Sequence, residues 1–339
     1  MKAVVHTETG GPEVLRIVER PMPEPGPGEV RVKVAVSGVN PTDWKSRRGR
    51  APGEALPFPE VVPNQDGAGT IDAVGDGVAS ERVGERVWLW EAAWKRANGT
   101  AQEYVALPEG QAARLPDDVS FDVGAGLGIP ALTAHRCLTV SDAGPRRLGP
   151  GALTGRTVLV AGGAGAVGHA AIQLARWAGA RVVATVSTAE KAALARAAGA
   201  DLAVDYRSGH ASDEIRGGAP DGVDMVVEVA PAANAQLDAD VLASNGTVAV
   251  YAAEGGSDVG LEFRALFSRN IRYEFVLVYT VPTEAKRNAV ADVAAAVASG
   301  ALPVGEEAGL PLHRFPLDRT ADAHAAVEGG AVGKVLIDV

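Results

Sequence analysis

The sequence predicts an α/β protein with two domains, one mostly antiparallel and one built on a doubly wound parallel sheet. The chain has 339 residues, which is enough for two sizeable cores. Its first 125 or so residues contain short apolar segments separated by Gly, Pro and Asp, a pattern typical of antiparallel strands. From about residue 150, short apolar segments alternate with helical ones, and this alternation indicates parallel βαβ units.

Composition narrows the class of protein further. Hydrophobic residues make up 47% of the chain and charged residues 22%, as in ordinary soluble globular proteins. The net charge of -10 argues against nucleic acid or an anionic membrane as the main partner. The first ten residues have no secretion-type apolar core, and no long apolar run predicts a membrane span, so we expect a cytoplasmic protein. The single cysteine, Cys137, excludes an internal disulfide and a Cys-rich zinc site.

The predicted strands of the first domain alternate apolar and polar residues. In "EVRVKVAVSGVN", the residues Val30, Val32, Val34 and Val36 fall on one face, which predicts a strand with that face in the core. The preceding "PMPEPGPGEV" is expected to be an extended connector. The further strand-like segments are "GAGTIDAVGDGV", "GERVWLW", "AQEYVALPE" and "GQAARLPDD".

The second domain is expected to give way to the first again near the end of the chain. Its predicted strands begin with "RTVLVA" and "RVVATVS", and the helices between them are "AVGHAAIQLARWAG" and "TAEKAALARAAG". The closing helix "ADVAAAVASGAL" and strand "GKVLIDV" are expected to return to the first domain. The predicted boundaries are therefore 1–125, 126–280 and 281–339. The segment 141–155, "SDAGPRRLGPGALTG", has no role assigned from sequence.

A glycine-rich turn joins the first strand of the second domain to its first helix. Gly163, Gly165 and Gly168 match the G-x-G-x-x-G pattern, with the required strand before and helix after. The first glycines allow a tight turn, Gly165 allows a pyrophosphate to approach the backbone, and Gly168 allows the helix to pack closely. The free N–H groups and positive dipole end of the helix favour phosphate. The alternative is a turn without a ligand. The predicted phosphate-binding residues are Gly162, Gly163, Gly165, Ala166, Val167 and Gly168.

The end of the next strand predicts which dinucleotide binds. A carboxylate about 20 residues after the first glycine would select NAD(H) through the adenosine ribose. Thr185 to Thr188 occupy that place without an acid, and Lys191 follows nearby. Small hydroxyls and a cation favour a 2′-phosphate, so the sequence predicts NADPH; for Lys191 the alternative is a solvated helix residue. The residues predicted for this pocket are Thr185, Ser187, Thr188, Lys191 and Tyr206, with Arg207 beside them.

Several motifs together resemble the medium-chain dehydrogenase/reductase superfamily, specifically its zinc-independent quinone oxidoreductase branch of the zeta-crystallin type. The resemblance covers nearly the whole chain. It implies a GroES-like β-barrel catalytic domain, a Rossmann domain that binds the cofactor, and a homodimer paired through the last Rossmann strand, "IRYEFVLV". The motifs are "GVNPTD", "NQDGAGTIDAVGDGV", "GERV", "GTAQEY", "GIPALTAH", "VLVAGGAGAVGHAAIQLA" and "GKVLI".

The resemblance also predicts that no metal takes part. Zinc members of the superfamily carry Cys and His where this chain has Asn40 and Gln65. Independently, the six His residues show no ligand spacing. A bound zinc would polarise an isolated carbonyl. Without one, we expect a quinone or an α,β-unsaturated carbonyl as the acceptor, because conjugation spreads the incoming charge.

By resemblance, four residues of the first domain are candidates for the chemistry. Asn40 is expected to donate to the acceptor oxygen or to orient the nicotinamide, and Thr42 matches a hydroxyl that relays protons in zinc relatives. Lys45 stands where related quinone reductases often have tyrosine, and this difference puts a quinone substrate in question. The positive charge of Lys45 could nevertheless stabilise an oxyanion. Gln65 is expected near the former metal position, or else as a satisfied turn residue. Asp43 is read as an N-cap or a turn residue.

The second domain supplies the predicted nicotinamide contacts. Thr133 matches a residue that lies against the nicotinamide in relatives, with helix packing as the alternative. Tyr251, Ala252 and Ala253 end a strand whose carboxyl end should line the ligand crevice. Trp88, Trp90 and Trp94 are expected in the core rather than stacked on an acceptor.

Two other functions compete with quinone reduction. An enone reductase acting on a carbon–carbon double bond would share the fold, the cofactor and the independence from metal. A non-catalytic NADPH-binding redox sensor would bind the cofactor without turnover.

Overall fold

The computed structural model describes residues 1–339, and the chain forms two compact units. The first, here called the GroES-like unit, comprises residues 1–129 and 311–339, and the second, the Rossmann unit, comprises residues 130–310. No helix combines the length and apolar character that crossing a membrane requires.

Fifteen strands and nine α-helices follow one another along the chain. The strands are β1 (Lys2–Val5), β2 (Arg16–Glu19), β3 (Glu29–Val39), β4 (Asp66–Val74), β5 (Arg86–Leu89), β6 (Tyr104–Pro108), β7 (Ala112–Arg114), β8 (Thr157–Ala161), β9 (Arg181–Val186), β10 (Leu202–Asp205), β11 (Val223–Glu228), β12 (Leu242–Val250), β13 (Arg272–Phe275), β14 (Leu312–Pro316) and β15 (Lys334–Asp338). The helices are α1 (Pro41–Arg48), α2 (Phe121–Thr139), α3 (Ala166–Trp177), α4 (Ala189–Ala197), α5 (Ala211–Gly218), α6 (Pro231–Val241), α7 (Phe263–Phe267), α8 (Thr283–Ala298) and α9 (Thr320–Glu328).

The GroES-like unit is organised around the long strand β3. Its main sheet has the order β14-β15-β3-β4-β5-β7, with β6 also paired to β3, and β1 and β2 form a separate pair. All pairs are antiparallel except β14 with β15. Val30, Val32, Val34 and Val36 are buried, which confirms the predicted alternation. The last strand, β15, lies beside β3, so the end of the chain does return to this unit.

The Rossmann unit contains a parallel sheet with the order β10-β9-β8-β11-β12-β13. All five strand pairs are parallel, as the alternation of strands and helices predicts. A core of Val and Leu side chains from β9, β10, β11 and β12 packs with α5 and α6. From β8, the strands β9 and β10 are added on one side of the sheet, and β11, β12 and β13 are added on the other side. The strand order therefore changes direction between β8 and β11, and sheets of this kind bind ligands at that point.

The return to the first unit comes later than the sequence predicted. The second division lies between residues 310 and 311, whereas the sequence placed it at 280/281. Side chains of α3 explain the difference, because they hold the segment after α8 within the Rossmann unit. His169 Nε2 lies 2.8 Å from the carbonyl oxygen of Ala308, and Gln173 Nε2 donates to that of Pro303 at 3.0 Å.

Candidate active site

The glycine turn after β8 is tied to the next strand by its backbone. The N–H groups of Gly162 and Gly163 both donate to the carbonyl oxygen of Thr185, each at 3.1 Å. Gly162 has φ +69°, a conformation that favours glycine. A Cβ on Gly168 would lie 2.4 Å from the carbonyl oxygen of Gly162, so only glycine allows α3 to start so close to the turn.

Gly165 leaves an open face at the start of α3. A Cβ there would approach only the carbonyl oxygen of Gly162, at 3.5 Å, so the space beside it is free for a ligand. Gly165 is the N-cap residue, no side chain caps the helix, and Ala166 and Val167 form its first turn. Free N–H groups facing open space fit the diphosphate of a dinucleotide.

Hydroxyl and cationic groups gather at the end of β9. Lys191 Nζ donates to Ser187 Oγ at 3.2 Å, and Thr188 Oγ1 caps α4 by accepting from the backbone N–H of Lys191 at 3.2 Å. The N–H of Tyr206 donates to the carbonyl oxygen of Val186 at 3.1 Å, which places Tyr206 beside the same strand end. The residues predicted to contact a 2′-phosphate therefore lie together.

The predicted nicotinamide contacts lie just after β12 and on α2 in the Rossmann unit. Tyr251, Ala252 and Ala253 follow β12, and the N–H of Tyr251 donates to the carbonyl oxygen of Glu228 at 3.0 Å. This segment is thus at the carboxyl edge of the parallel sheet. Burial raises the pKa of the Tyr251 phenol, so that side chain stays neutral. Thr133 is buried in α2.

In the GroES-like unit, Asp43 ties the start of α1 to the segment before β4. Asn40 is the N-cap of α1 and Asp43, predicted as an N-cap or turn residue, is instead its third helical residue. Asp43 Oδ2 accepts from the backbone N–H of Asn40 at 2.7 Å, as in a capping box. Asp43 Oδ1 accepts from the backbone N–H of Gln65 at 3.1 Å. The side-chain Oε1 of Gln65 accepts from the N–H of Ala93 at 3.1 Å. Asn40, Asp43 and Gln65 therefore form one buried group.

Asn40 belongs to a buried charged network that the sequence did not predict. Its Nδ2 donates to Asp66 Oδ2 at 2.6 Å, and its Oδ1 accepts from Lys334 Nζ at 2.7 Å. Lys334 Nζ also lies 3.5 Å from Asp66 Oδ2, and both side chains are almost fully buried. Strand pairing brings the three together, since Val39 lies opposite Val335 and Gly38 opposite Asp66. The only sequence signal was that Asp66 and Lys334 belong to the motifs "NQDGAG" and "GKVLI".

Burial shifts the pKa of every charged group in this network. Burial and the neighbouring Asp66 raise the pKa of Asp43 to about 8, although two N–H bonds oppose the shift. Burial also raises the pKa of Asp66, and Lys334 opposes that change; burial lowers the pKa of Lys334 against the attraction of the two carboxyls. Because two carboxyls and one amine are buried together here, a proton on Asp43 beside an Asp66–Lys334 ion pair would leave the site without net charge.

A cavity of about 410 Å³ opens beside Asp43 and Gln65 within the GroES-like unit. Trp94 is on its wall, whereas Trp88 is fully buried in the core as predicted. Lys45 is exposed, with its ammonium 5.6 Å from the ring centroid of Trp44, and Thr42 is half-buried. The apolar side chains that line the cavity are Leu56, Pro57, Phe58, Val61, Pro63 and Trp94.

Metal-binding chemistry has little support in the side chains of the structure. No group of three or more His, Cys, Asp or Glu side chains is arranged to hold a metal ion. The side-chain oxygens of Asn40 and Gln65 already accept hydrogen bonds, from Lys334 and Ala93.

Comparison with known proteins places the two units in known domain families. The family described as "Alcohol dehydrogenase GroES-like domain" matches residues 26–117. The family described as "Zinc-binding dehydrogenase" matches residues 166–296.

Individual relatives match along the whole chain. The quinone oxidoreductase of Rattus norvegicus is 30% identical, over 99% of this chain and 97% of its own. A mycobacterial protein solved in complex with NADPH is 33% identical, with a TM-score of 0.81 and full coverage of both chains. A protein described as an NAD-dependent alcohol dehydrogenase is 30% identical, with a TM-score of 0.86 and full coverage of both chains.

Proposed function

The chain belongs to the medium-chain dehydrogenase/reductase superfamily and is an oxidoreductase, and from this premise we propose that it is an NADPH-dependent, metal-independent reductase of quinones or related conjugated carbonyl compounds. Bound NADPH supplies a hydride from C4 of its dihydronicotinamide, and the acceptor takes up that hydride with one proton. A quinone thereby becomes a hydroquinone, and NADP⁺ remains.

The observation that carries the proposal is the buried ammonium beside Asn40. Lys334 Nζ lies 2.7 Å from Asn40 Oδ1 and is almost fully buried. A divalent cation bound by the side-chain oxygen of Asn40 would have to displace this ammonium. Neutral amides are also poor zinc ligands. The chemistry of these donors supports a reaction without a metal, which in turn favours acceptors that delocalise the incoming charge.

The choice of cofactor is supported by the end of β9. The Lys191 ammonium and the Ser187 hydroxyl are 3.2 Å apart, so both can reach one phosphate group. The turn from Gly162 to Gly168 would hold the diphosphate, and Thr133 with residues 251–253 would orient the nicotinamide. A mycobacterial relative is described as complexed with NADPH, whereas another relative is described as NAD-dependent. The cofactor preference therefore has to be measured.

The GroES-like unit would position the acceptor and supply the proton. Asn40 donates one N–H to Asp66 and retains a second for the acceptor oxygen. Asp43 lies beside the cavity, and its pKa of about 8 keeps a proton on it at neutral pH. It can therefore be the source of the proton that the acceptor takes up. Thr42 would relay that proton, Gln65 would hydrogen-bond near the acceptor, and Lys45 would stabilise negative charge.

Reduction of a carbon–carbon double bond in an enone is the alternative activity. Lys45, which stands where related quinone reductases often have tyrosine, is the residue that favours it. Both reactions use the same hydride and proton, so the identity of the product decides between them.

The test is steady-state NADPH oxidation with quinones, enones and simple aldehydes, with NADH and a chelator as controls. We expect turnover of conjugated acceptors that the chelator leaves unchanged. Rapid aldehyde reduction abolished by the chelator would contradict the proposal. Stoichiometric NADPH binding without any turnover would instead indicate a redox sensor.

The cofactor part of the proposal predicts a change of preference in Lys191→Ala. Loss of one charge-assisted hydrogen bond to the 2′-phosphate should lower kcat/KM for NADPH about tenfold relative to NADH. Lys33→Ala, an exposed lysine on β3, is the matched control and should leave the ratio unchanged. An unchanged ratio in Lys191→Ala would refute the assigned phosphate contact.

A further inference from the structure

The cavity beside Asp43 is lined by apolar side chains and by three cationic ones. Arg47, Lys95 and Arg96 line it, and Asp43 is the only carboxyl group that does. Burial raises the pKa of Asp43 to about 8, against the opposing effect of the two backbone N–H groups that its oxygens accept. Cationic side chains therefore outnumber carboxyl groups on the lining of the cavity, three to one.

Arg47 is a buried guanidinium that is only partly satisfied. Its Nη2 donates to Glu328 Oε2 at 2.6 Å, but its Nε and Nη1 have no hydrogen-bond partner. Glu328 also lies 3.5 Å from Arg48 Nη1, so one carboxylate faces two guanidinium groups. Buried N–H donors without acceptors are costly, and such groups mark the place of a water or an anion. Because Arg47 lines the cavity, a ligand there can supply the missing acceptor.

Lys95 adds a free positive charge at the mouth. It is exposed, makes no ion pair, and holds its Nζ 5.7 Å from the ring centroid of Trp94. Arg96, in contrast, pairs with Glu29 at 3.2 Å and is largely neutralised. The ammonium of Lys95 thus sits beside the aromatic wall on which a flat ligand would stack.

We propose that this cavity binds a conjugated acceptor carrying a carboxylate or a sulfonate, with the anion held by Arg47 and Lys95 and the ring packed on Trp94 and Phe58. The inference rests on the proposed function, because it names the class of acceptor that this reductase prefers. An apolar cavity with a few convergent charged groups is the usual form of such a site.

The kinetic test compares 1,2-naphthoquinone with 1,2-naphthoquinone-4-sulfonate. We divide kcat/KM for the sulfonate by kcat/KM for the neutral quinone. In Lys95→Gln this ratio should fall about three- to tenfold, mainly because KM for the sulfonate rises. Arg47→Lys keeps the positive charge but loses the planar guanidinium group, which can donate two parallel hydrogen bonds to one anion. This variant should lower the same ratio. The control Lys33→Gln should leave it unchanged. Since Lys95 is exposed, its variant should fold even if the Arg47 variant does not.

The outcomes separate the two proposals. Turnover of both quinones with the same ratio in wild type and Lys95→Gln would overturn the anion preference and leave the proposed function intact. Turnover of neither quinone, and of no other quinone or enone in the panel, would overturn the proposed function. In that case, quenching of tryptophan fluorescence by 1-naphthalenesulfonate decides the cavity's role: weaker binding in Lys95→Gln supports an aromatic-anion site, and equal binding overturns it.

Discussion

Two glycines of the phosphate turn are required for different reasons. At Gly168 a Cβ would collide with backbone 2.4 Å away, whereas at Gly165 it would meet nothing closer than 3.5 Å. The sequence pattern treats both as one motif. The structure shows that one glycine is needed for packing and that the other leaves space for a ligand.

This difference predicts opposite phenotypes for two variants. Gly165→Val should keep the wild-type melting temperature but lose NADPH affinity by at least about tenfold, because its side chain fills the space of the diphosphate. Gly168→Ala should lower stability by about 1–3 kcal/mol, since the turn and α3 must move apart. Thermal unfolding and fluorescence titration with NADPH measure both effects. Equal NADPH affinity in Gly165→Val and wild type would refute the assigned ligand position.

At the residue scale, Asn40 also illustrates what a motif leaves out. The sequence identified it as a hydrogen-bond donor near the reaction. In the structure both its amide groups are engaged, one by Asp66 and one by Lys334. Lys334 lies 294 positions away in the chain, so no local pattern could connect the two.

At the scale of elements, the segment 141–155 is anchored by a carboxylate on α8. Asp292 Oδ1 accepts from Arg147 Nε at 2.7 Å, and its Oδ2 accepts from the N–H of Leu148 at 2.7 Å. His135 Nε2 lies 2.8 Å from the same Oδ2. Asp292 thus joins α2, α8 and this segment within the Rossmann unit, which gives a structural role to residues that the sequence left unassigned.

The anchor predicts a pH-dependent loss of stability. Burial alone would raise the pKa of Asp292, but hydrogen bonds from His135, Arg147 and the backbone of Leu148 hold it below its usual value of 3.8. Because the pKa of Asp292 is lower in the folded state, its carboxylate stabilises the fold above about pH 4. This stabilisation is lost as the pH falls through the lowered pKa. Asp292→Asn should therefore lower the free energy of unfolding by about 1–3 kcal/mol at neutral pH, and by less in acid.

Urea denaturation at several pH values measures this difference. Asp118→Asn, which removes an exposed carboxylate, is the control and should have almost no effect at any pH. A deficit in Asp292→Asn that stays the same down to strongly acid pH would show that the carboxylate charge does not stabilise the anchor.

At the scale of the whole molecule, the edge strand β13 and the residues just after it carry exposed apolar side chains. Phe275 is 77% exposed and Leu277 is 55% exposed. The exposed rings of Phe263 and Phe267 on α7 stack with centroids 5.2 Å apart. An unpaired sheet edge with apolar neighbours favours association, so we propose that two copies of the chain pair through β13.

This proposal predicts that Phe275→Asp is monomeric. The substitution places a charge in the proposed interface, where burying it unpaired is costly. Light scattering after size-exclusion chromatography should give a dimer for wild type and a monomer for the variant. Val83→Asp, which changes another exposed apolar side chain, should remain dimeric. A monomeric wild type, or a dimeric Phe275→Asp, would contradict the arrangement.

The sequence by itself determined the βαβ order, the glycine turn and the alternating valines of β3, because each is encoded by residues a few positions apart. Tertiary structure alone decided the rest. It placed the return of the chain at residue 311 through contacts of His169 and Gln173, and it brought Asp66 and Lys334 to Asn40. The physical reason is that pairing across β3 sets which distant residues become neighbours. Once these residues are neighbours, burial shifts their pKa values. Burial also leaves the Nε and Nη1 donors of Arg47 without hydrogen-bond partners.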